Sequence, residues 1–306
     1  MNPDITNASL IGIDWGTSSL RAYLLDHQGC ILDVKNTDLG IMRVPEMNFD
    51  GVFTELLNPW FDQRELPVIA SGMITSRNGW LETPYQPLPT NAEALANSLV
   101  PLTTKQGLTL HLMNGVTVEH EGAPDVIRGE ETQIVGAIHT GITNGTFVMP
   151  GTHSKWVSGG DGSIQDFSTF MSGEVYEALS KHTILGALMS ASTFAEKQFI
   201  EGVRHGYDAG SQLLHNLFHV RTRPLFGKIK EETVSDYLSG MLIGAEIRGA
   251  TERTTAAEPL IIVGRNDLAD RYEKALSAIG QASKRAEENI VALGHFAIAT
   301  AAGLIR

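Results

Sequence analysis

The chain holds a single cysteine, Cys30. One thiol can form neither an intrachain disulfide nor a cysteine-based zinc site, and it fits a reducing, cytoplasmic setting. Cations are also scarce. Lys and Arg total 23 against 35 Asp and Glu, a net charge of -12. A general nucleic-acid binder needs a basic face, so that class is set aside, whereas an anionic small substrate needs only a few well-placed cations. Long apolar runs are missing too. The most apolar stretch, from Ile290 to Ile305, is interrupted by His295 and Thr300 and reads as a buried, Ala/Gly-rich core helix rather than a membrane span. Met1-Asn2-Pro3-Asp4 has no basic or apolar region of the kind a secretory leader uses. Several signatures are absent as well: G-x-x-x-x-G-K-[ST], G-x-G-x-x-G, G-x-S-x-G and H-E-x-x-H. A P-loop, a dinucleotide fold, a hydrolase elbow and a zincin helix therefore lack support.

What is present is an α/β pattern. The 306 residues suit two domains, and 42% hydrophobic content supplies a large core. Short apolar strands alternate with longer helical stretches. Leu10 to Ile13 is a strand that runs into Asp14-Trp15-Gly16-Thr17-Ser18-Ser19, a second strand covers Leu20 to Leu25, and a third begins at Cys30. The arrangement recurs downstream. Thr146 to Met149 runs into Pro150-Gly151-Thr152-His153-Ser154-Lys155, and strand resumes at Trp156-Val157. Repeats this far apart indicate a duplicated domain rather than a solenoid. Further on, Asn91 to Val100 reads as a short helix. Val234 to Arg248 reads as an amphipathic helix with Leu238, Met241, Leu242 and Ala245 on one face. Asn266 reads as the cap of a later helix.

Each Gly-Thr-x-Ser loop can act as an anion nest. Glycine allows close approach, successive N–H groups converge, and hydroxyls add donors. One such loop is an ordinary hairpin turn; two loops, one preceded by Asp14, suggest a polyphosphate held from both sides.

These residues resemble the sugar kinase/Hsp70/actin superfamily, with Ile11 to Arg21 as phosphate-1 and Val148 to Val157 as phosphate-2. Four segments together resemble the 2-dehydro-3-deoxygalactonokinase family: Val148 to Val157, Ser71-Gly72-Met73 through Trp80-Leu81-Glu82-Thr83-Pro84-Tyr85, Arg128-Gly129-Glu130-Glu131-Thr132-Gln133, and Phe170-Met171-Ser172-Gly173-Glu174. The resemblance implies an α/β fold of two ribonuclease-H-like (actin-like ATPase) domains, 1–142 and 143–306, with an interdomain cleft. It implies ATP-dependent phosphorylation of the terminal hydroxyl of a keto-deoxy sugar acid. The runners-up are another sugar or keto-acid kinase and a non-catalytic nucleotide switch.

The resemblance also distributes roles. Asp14 would hold Mg²⁺ through water, since magnesium keeps its hydration shell, or else cap its own turn. Gly16, Thr17, Ser18, Gly151, Thr152 and His153 would contact phosphates. Lys155 is either a phosphate contact or a plain strand residue. Gly264 would lie at the adenosine. Asp125 is the expected catalytic base, placed at the start of a helix ahead of phosphate-2, with Glu130 its nearest rival. Ser71, Gly72, Arg77, Trp80, Arg128, Glu130 and Glu174 would line the sugar-acid site, with Arg77 or Arg128 gripping the carboxylate as a planar fork. The expected cofactors are ATP and Mg²⁺. The expected partners are the small keto-deoxy sugar acid and a second copy of the chain, with no nucleic acid and no membrane.

Overall fold

The structure is a computed structural model describing residues 6–61, 65–190, 193–253 and 259–305. The amino-terminal tetrapeptide read above for a leader lies outside these residues. In chain order the first strands are β1 (Ala8–Trp15), β2 (Leu20–Asp26), β3 (Ile31–Thr37) and β4 (Val68–Ser71), with helix α1 (Phe49–Phe61) before β4. There follow β5 (Tyr85–Pro87), α2 (Ala92–Asn97), β6 (Val100–Thr103), β7 (Thr109–Leu112), β8 (Gly115–His120), β9 (Ala123–Ile127) and α3 (Glu130–His139). The later part contains β10 (Gly145–Met149), β11 (Ser154–Gly160), β12 (Ser163–Phe170), α4 (Ser172–His182), α5 (Glu196–Ala209), α6 (Leu213–Leu217), α7 (His219–Leu225), α8 (Val234–Arg253), β13 (Leu260–Ile262), α9 (Asn266–Ala278), β14 (Ser283–Arg285) and α10 (Ile290–Ala301).

The chain divides into two compact units. The first comprises Met1–Thr143, Gly159–Asp166 and Glu287–Arg306, and the second comprises Asn144–Ser158 and Phe167–Ala286. Glu287–Arg306, which the sequence reading kept with the second domain, returns to the first.

The first unit is built on a six-stranded sheet in the order β3-β2-β1-β4-β7-β6. The second has a five-stranded sheet in the order β12-β11-β10-β13-β14. Numbered within each sheet, four strands repeat one order, third-second-first-fourth, so the echo in the sequence is a duplication of architecture. The central strands are apolar on both faces because helices cover both. In β1, Leu10, Ile11, Ile13 and Trp15 are all buried. Every residue of β10 is buried. On one side of the first sheet, Phe49, Phe53, Leu57 and Trp60 of α1 pack against Ile11, Ile13 and Trp15. In the second unit, Val148, Trp156, Leu260 and Ile262 pack with Phe199, Ile243 and Tyr272.

The helix expected over Asn91 to Val100 is shorter, because Asn91 caps it by accepting the Ala94 N–H at 3.0 Å and the chain turns into β6 at Val100. Helix α8 buries more than one stripe: Asp236 and Glu246 lie as deep as Leu238 and Met241. Asn266 opens α9 rather than capping it, and the cap is Arg265. The stretch after Ile290 is the expected core helix, and no described helix is long and apolar enough to cross a membrane.

Candidate active site

In the first unit, Gly16–Ser19 connects β1 to β2. The Gly16 N–H closes the turn on the Ser19 carbonyl at 2.9 Å, and the N–H groups of Ile41 and Met42 hold the Gly16 and Thr17 carbonyls at 3.0 and 3.3 Å. The backbone of Ser18 and Ser19 rests directly on Gly40, where a Cβ would come within 2.4 Å of it. These contacts consume carbonyls. Among the described residues, the N–H groups of Thr17, Ser18 and Ser19 donate to nothing, and all three residues are exposed. Three consecutive N–H groups of this exposed loop are thus left without an acceptor among the described residues.

Asp14 precedes this loop. Burial pushes its carboxyl up to about 6, the Arg21 guanidinium opposes that, and the negative charge of Glu130 adds to it. Arg21 stands opposite Asp14 in the β1–β2 register. A cavity of about 620 Å³ beside the loop is lined by Ser18, Ser19, Arg21, Asn36 and Asn289 among others. Arg21, which closes the phosphate-1 window in the sequence, is thus the cation that lines this cavity.

Three backbone segments meet beside Asp14. Gly72 has φ +92, and a Cβ there would lie 2.9 Å from the Trp15 carbonyl and 3.3 Å from Asp14 Oδ1. Gly129 has φ +108, and its Cβ would lie 3.0 Å from the Gly72 Cα. Only glycine takes such a φ at so close an approach without strain. The packing brings the start of α3 to the end of β1. Glu130 opens α3, and its Oε2 accepts the Arg128 N–H at 2.9 Å. Glu131 is buried, accepts the Gly129 N–H at 2.6 Å, and burial pushes its carboxyl up to about 7.

Several expected site residues are placed otherwise. Asp125 is in β9, paired with Val118 of β8, and its Oδ1 accepts the Val126 N–H. It is not at a helix start; that position belongs to Glu130. Arg128 is committed: Nη1 donates to Thr75 O, Thr75 Oγ1 and Thr83 Oγ1 at 2.6, 2.7 and 2.8 Å, and Nη2 donates to Thr83 O at 3.1 Å. Its guanidinium also covers the Tyr85 ring at 4.4 Å. It therefore ties down both ends of the segment that carries Arg77. Arg77 itself is exposed and has no partner among the described residues. Ser71 is fully buried, with Oγ 2.8 Å from Nε2 of His295. Burial pushes that imidazole down to about 3, so it is neutral. Trp80 packs on Trp15, Phe49 and Phe53 as part of the core.

In the second unit, Pro150–His153 connects β10 to β11. Among the described residues the N–H groups of Gly151, Thr152 and His153 also donate to nothing, and Thr152 and His153 are exposed. The Glu174 N–H holds the Thr152 carbonyl at 3.0 Å, and a Cβ on Gly173 would lie 2.4 Å from the Gly151 carbonyl. Glu174 is paired with His153, Oε2 to Nε2 at 2.6 Å. Lys155 is buried and donates to the His153 carbonyl at 2.7 Å, so its ammonium steadies the loop from below. Gly264, after β13, lies against Pro150, 3.6 Å from a Cβ built on it. Among the described residues no three His, Cys, Asp or Glu side chains cluster as a metal cage.

With this geometry in hand, the likenesses to known proteins are specific. The chain is 33% identical over 273 residues to the 2-dehydro-3-deoxygalactonokinase of Escherichia coli (strain K12), covering 89% of this chain and 91% of that protein. A crystal structure from Sinorhizobium meliloti, described as a 2-dehydro-3-deoxygalactonokinase, superposes with TM-score 0.88 at 30% identity over 95% of this chain and 98% of its own. The fold extends to more distant proteins. The activator of the 2-hydroxyisocaproyl-CoA dehydratase from Clostridium difficile, solved with ADPNP, has TM-score 0.51 at 11% identity over 96% of this chain and 95% of its own. The α/β fold is thus the two-domain, ribonuclease-H-like one expected from the sequence. Residues 14–298 match the 2-keto-3-deoxy-galactonokinase family, and the chain belongs to that family.

Proposed function

We propose that the protein transfers the γ-phosphoryl group of ATP to the terminal (C6) hydroxyl of 2-dehydro-3-deoxy-D-galactonate, a step of galactonate breakdown. The observation that carries this reading is the pair of loops, each offering three consecutive unpartnered N–H groups: Thr17–Ser19 and Gly151–His153. Such donors suit phosphate oxygens, and phosphoryl transfer depends chiefly on positioning and charge neutralisation. The loop donors hold the phosphates, and Arg21 offsets the charge beside phosphate-1.

Asp14 suits a magnesium site. Its carboxylate has no hydrogen-bond donor among the described residues and sits beside the free loop donors. A single hard oxygen ligand with no cage around it matches an ion that keeps most of its water. Mg²⁺ bound there would neutralise phosphate charge.

Glu130, rather than Asp125, is the base in this reading. It opens α3, where the resemblance places the base, and it is near enough to Asp14 to perturb it. Its carboxylate takes the proton of the C6 hydroxyl as that oxygen bonds to the γ-phosphorus and ADP departs. Arg77 pairs with the substrate carboxylate, because Arg128 is already spent. The base assignment is tested with Glu130→Gln and Asp125→Asn. Glu130→Gln is expected to lower kcat by about 10²–10⁴ with nucleotide binding kept, and Asp125→Asn to stay within threefold of the parent. The reverse pattern would return the role to Asp125. Arg77→Ala is expected to raise KM for the keto-acid about tenfold or more while KM for ATP stays nearly constant; equal shifts in both would remove Arg77 from the site.

A further inference from the structure

A buried polar chain runs beneath the second loop, and none of the roles above uses it. Glu246 of α8 is buried at its centre. Its Oε1 accepts the indole N–H of Trp156 at 2.9 Å, and its Oε2 accepts the Tyr272 hydroxyl at 2.7 Å. Tyr272 Oη is also 2.9 Å from Ser154 Oγ, and Ser172 hydrogen-bonds to the same carboxylate. Donor directions follow from valence. An indole N–H can only donate, and a carboxylate only accepts. Tyr272 has one proton and gives it to Glu246, so Ser154 is left to donate inward, to Tyr272 Oη or to the Glu246 carboxylate itself. The hydroxyl of Ser154 therefore points inward and is unavailable to a phosphate. Ser154 is the last residue of the Gly-Thr-x-Ser loop, and Ser172 opens α4, whose Gly173 and Glu174 support that loop from the other side. One carboxylate thus ties together β11, α4, α8 and α9.

We propose that Glu246 is a positioning residue for nucleotide binding, fixing the Gly151–His153 donors through Ser154, Trp156, Tyr272 and Ser172. This rests on the reading that the second loop holds phosphate. The network leaves the sugar-acid residues of the first unit untouched, so its loss should act on one substrate only.

The test uses Tyr272→Phe and Ser154→Ala, which cut the chain with little change of volume, alongside Gly173→Ala, which displaces the loop directly. Titration calorimetry with ADPNP and Mg²⁺ is expected to show Kd weakened about tenfold in each of the first two, with KM for ATP rising in parallel. KM for the keto-acid should stay within twofold. If Gly173→Ala weakens ADPNP while Tyr272→Phe and Ser154→Ala do not, the positioning role is wrong and the phosphate reading stands. If none of the three affects ADPNP, the phosphate reading fails and the proposal with it. If ADPNP affinity and keto-acid KM deteriorate together, the network only maintains the fold and the proposal is overturned.

Discussion

The two Gly-Thr-x-Ser loops share a sequence pattern, a place in a duplicated sheet order and anchorage by neighbouring backbone, yet only the second has a buried side-chain network beneath it as well. The first is held by backbone: the N–H groups of Ile41 and Met42 take its carbonyls, and Gly40 lies flat against Ser18 and Ser19. The second has like backbone support, from the Glu174 N–H on the Thr152 carbonyl and from Gly173, and is held in addition from beneath by side chains, through Ser154, Tyr272 and Glu246. Each loop has a buried or half-buried carboxylate near it, and the two carboxylates differ most in their partners. Asp14 has no hydrogen-bond donor among the described residues, whereas Glu246 accepts from Trp156, Tyr272 and Ser172. A carboxylate without donors costs stability and stays open to a ligand; one filled with donors stabilises its surroundings and has nothing left to bind with. An open acid and a saturated one are thus found near the two loops.

The sharpest way to break this comparison is to move the loops themselves. Gly40→Ala would drive a Cβ into the Ser18 and Ser19 backbone, and displacement of an ångström in a catalytic loop costs about 10²-fold in rate. We expect kcat/KM for ATP to fall by about that factor. Steady-state kinetics showing a near-normal value would mean that the first loop is not fixed by Gly40.

The next effect is on stability, and it has opposite signs for the two acids. Glu246→Leu leaves the Trp156 and Tyr272 donors buried without an acceptor and should cost about 2–4 kcal/mol. Asp14→Asn should be stabilising at pH 8 by about 1–2 kcal/mol while removing activity. The sign follows from linkage. Burial raises the folded pKa of Asp14 to about 6, above the unfolded value near 3.8. Between these values the folded state binds more protons, so stability falls as pH rises from about 4 to about 6, and the penalty is complete above that. The gain from Asn should therefore vanish near pH 4. Glu131, raised to about 7, adds a further decline of the same sign toward neutral pH. Thermal melts of both variants at pH 8 and pH 4 check this; a destabilised Asp14→Asn at pH 8 would contradict the assignment of Asp14 as the costly acid.

The smallest effect concerns the His153–Glu174 pair. Its side chains are 47% and 51% exposed, so solvent screens it, and Glu174→Gln should change stability by less than about 1 kcal/mol. A larger loss in a melt would make this surface pair a third anchor of the second loop.

Much of this was legible in the residues. The strands around both loops were readable because two-sided burial leaves near-continuous apolar runs, as in Leu10 to Ile13 and Thr146 to Met149. The loops were readable because their chemistry is carried by local backbone. Asp125 was expected at the start of a helix and lies instead in β9, because nothing local shows that the segment ahead of α3 is a strand pinned to β8 before the helix opens at Glu130. Arg128 and Arg77 likewise looked equivalent as planar cations.

The sequence by itself determined the duplicated α/β plan, the two donor loops and the family, since each depends on short-range pattern and backbone groups. Only the tertiary structure decided which side chains remain available. Arg128 is spent on Thr75 and Thr83, and Ser154 on Tyr272, through hydrogen bonds that bridge 53, 45 and 118 positions. A side chain's availability depends on partners that folding brings to it, and no local pattern encodes partners so far away along the chain.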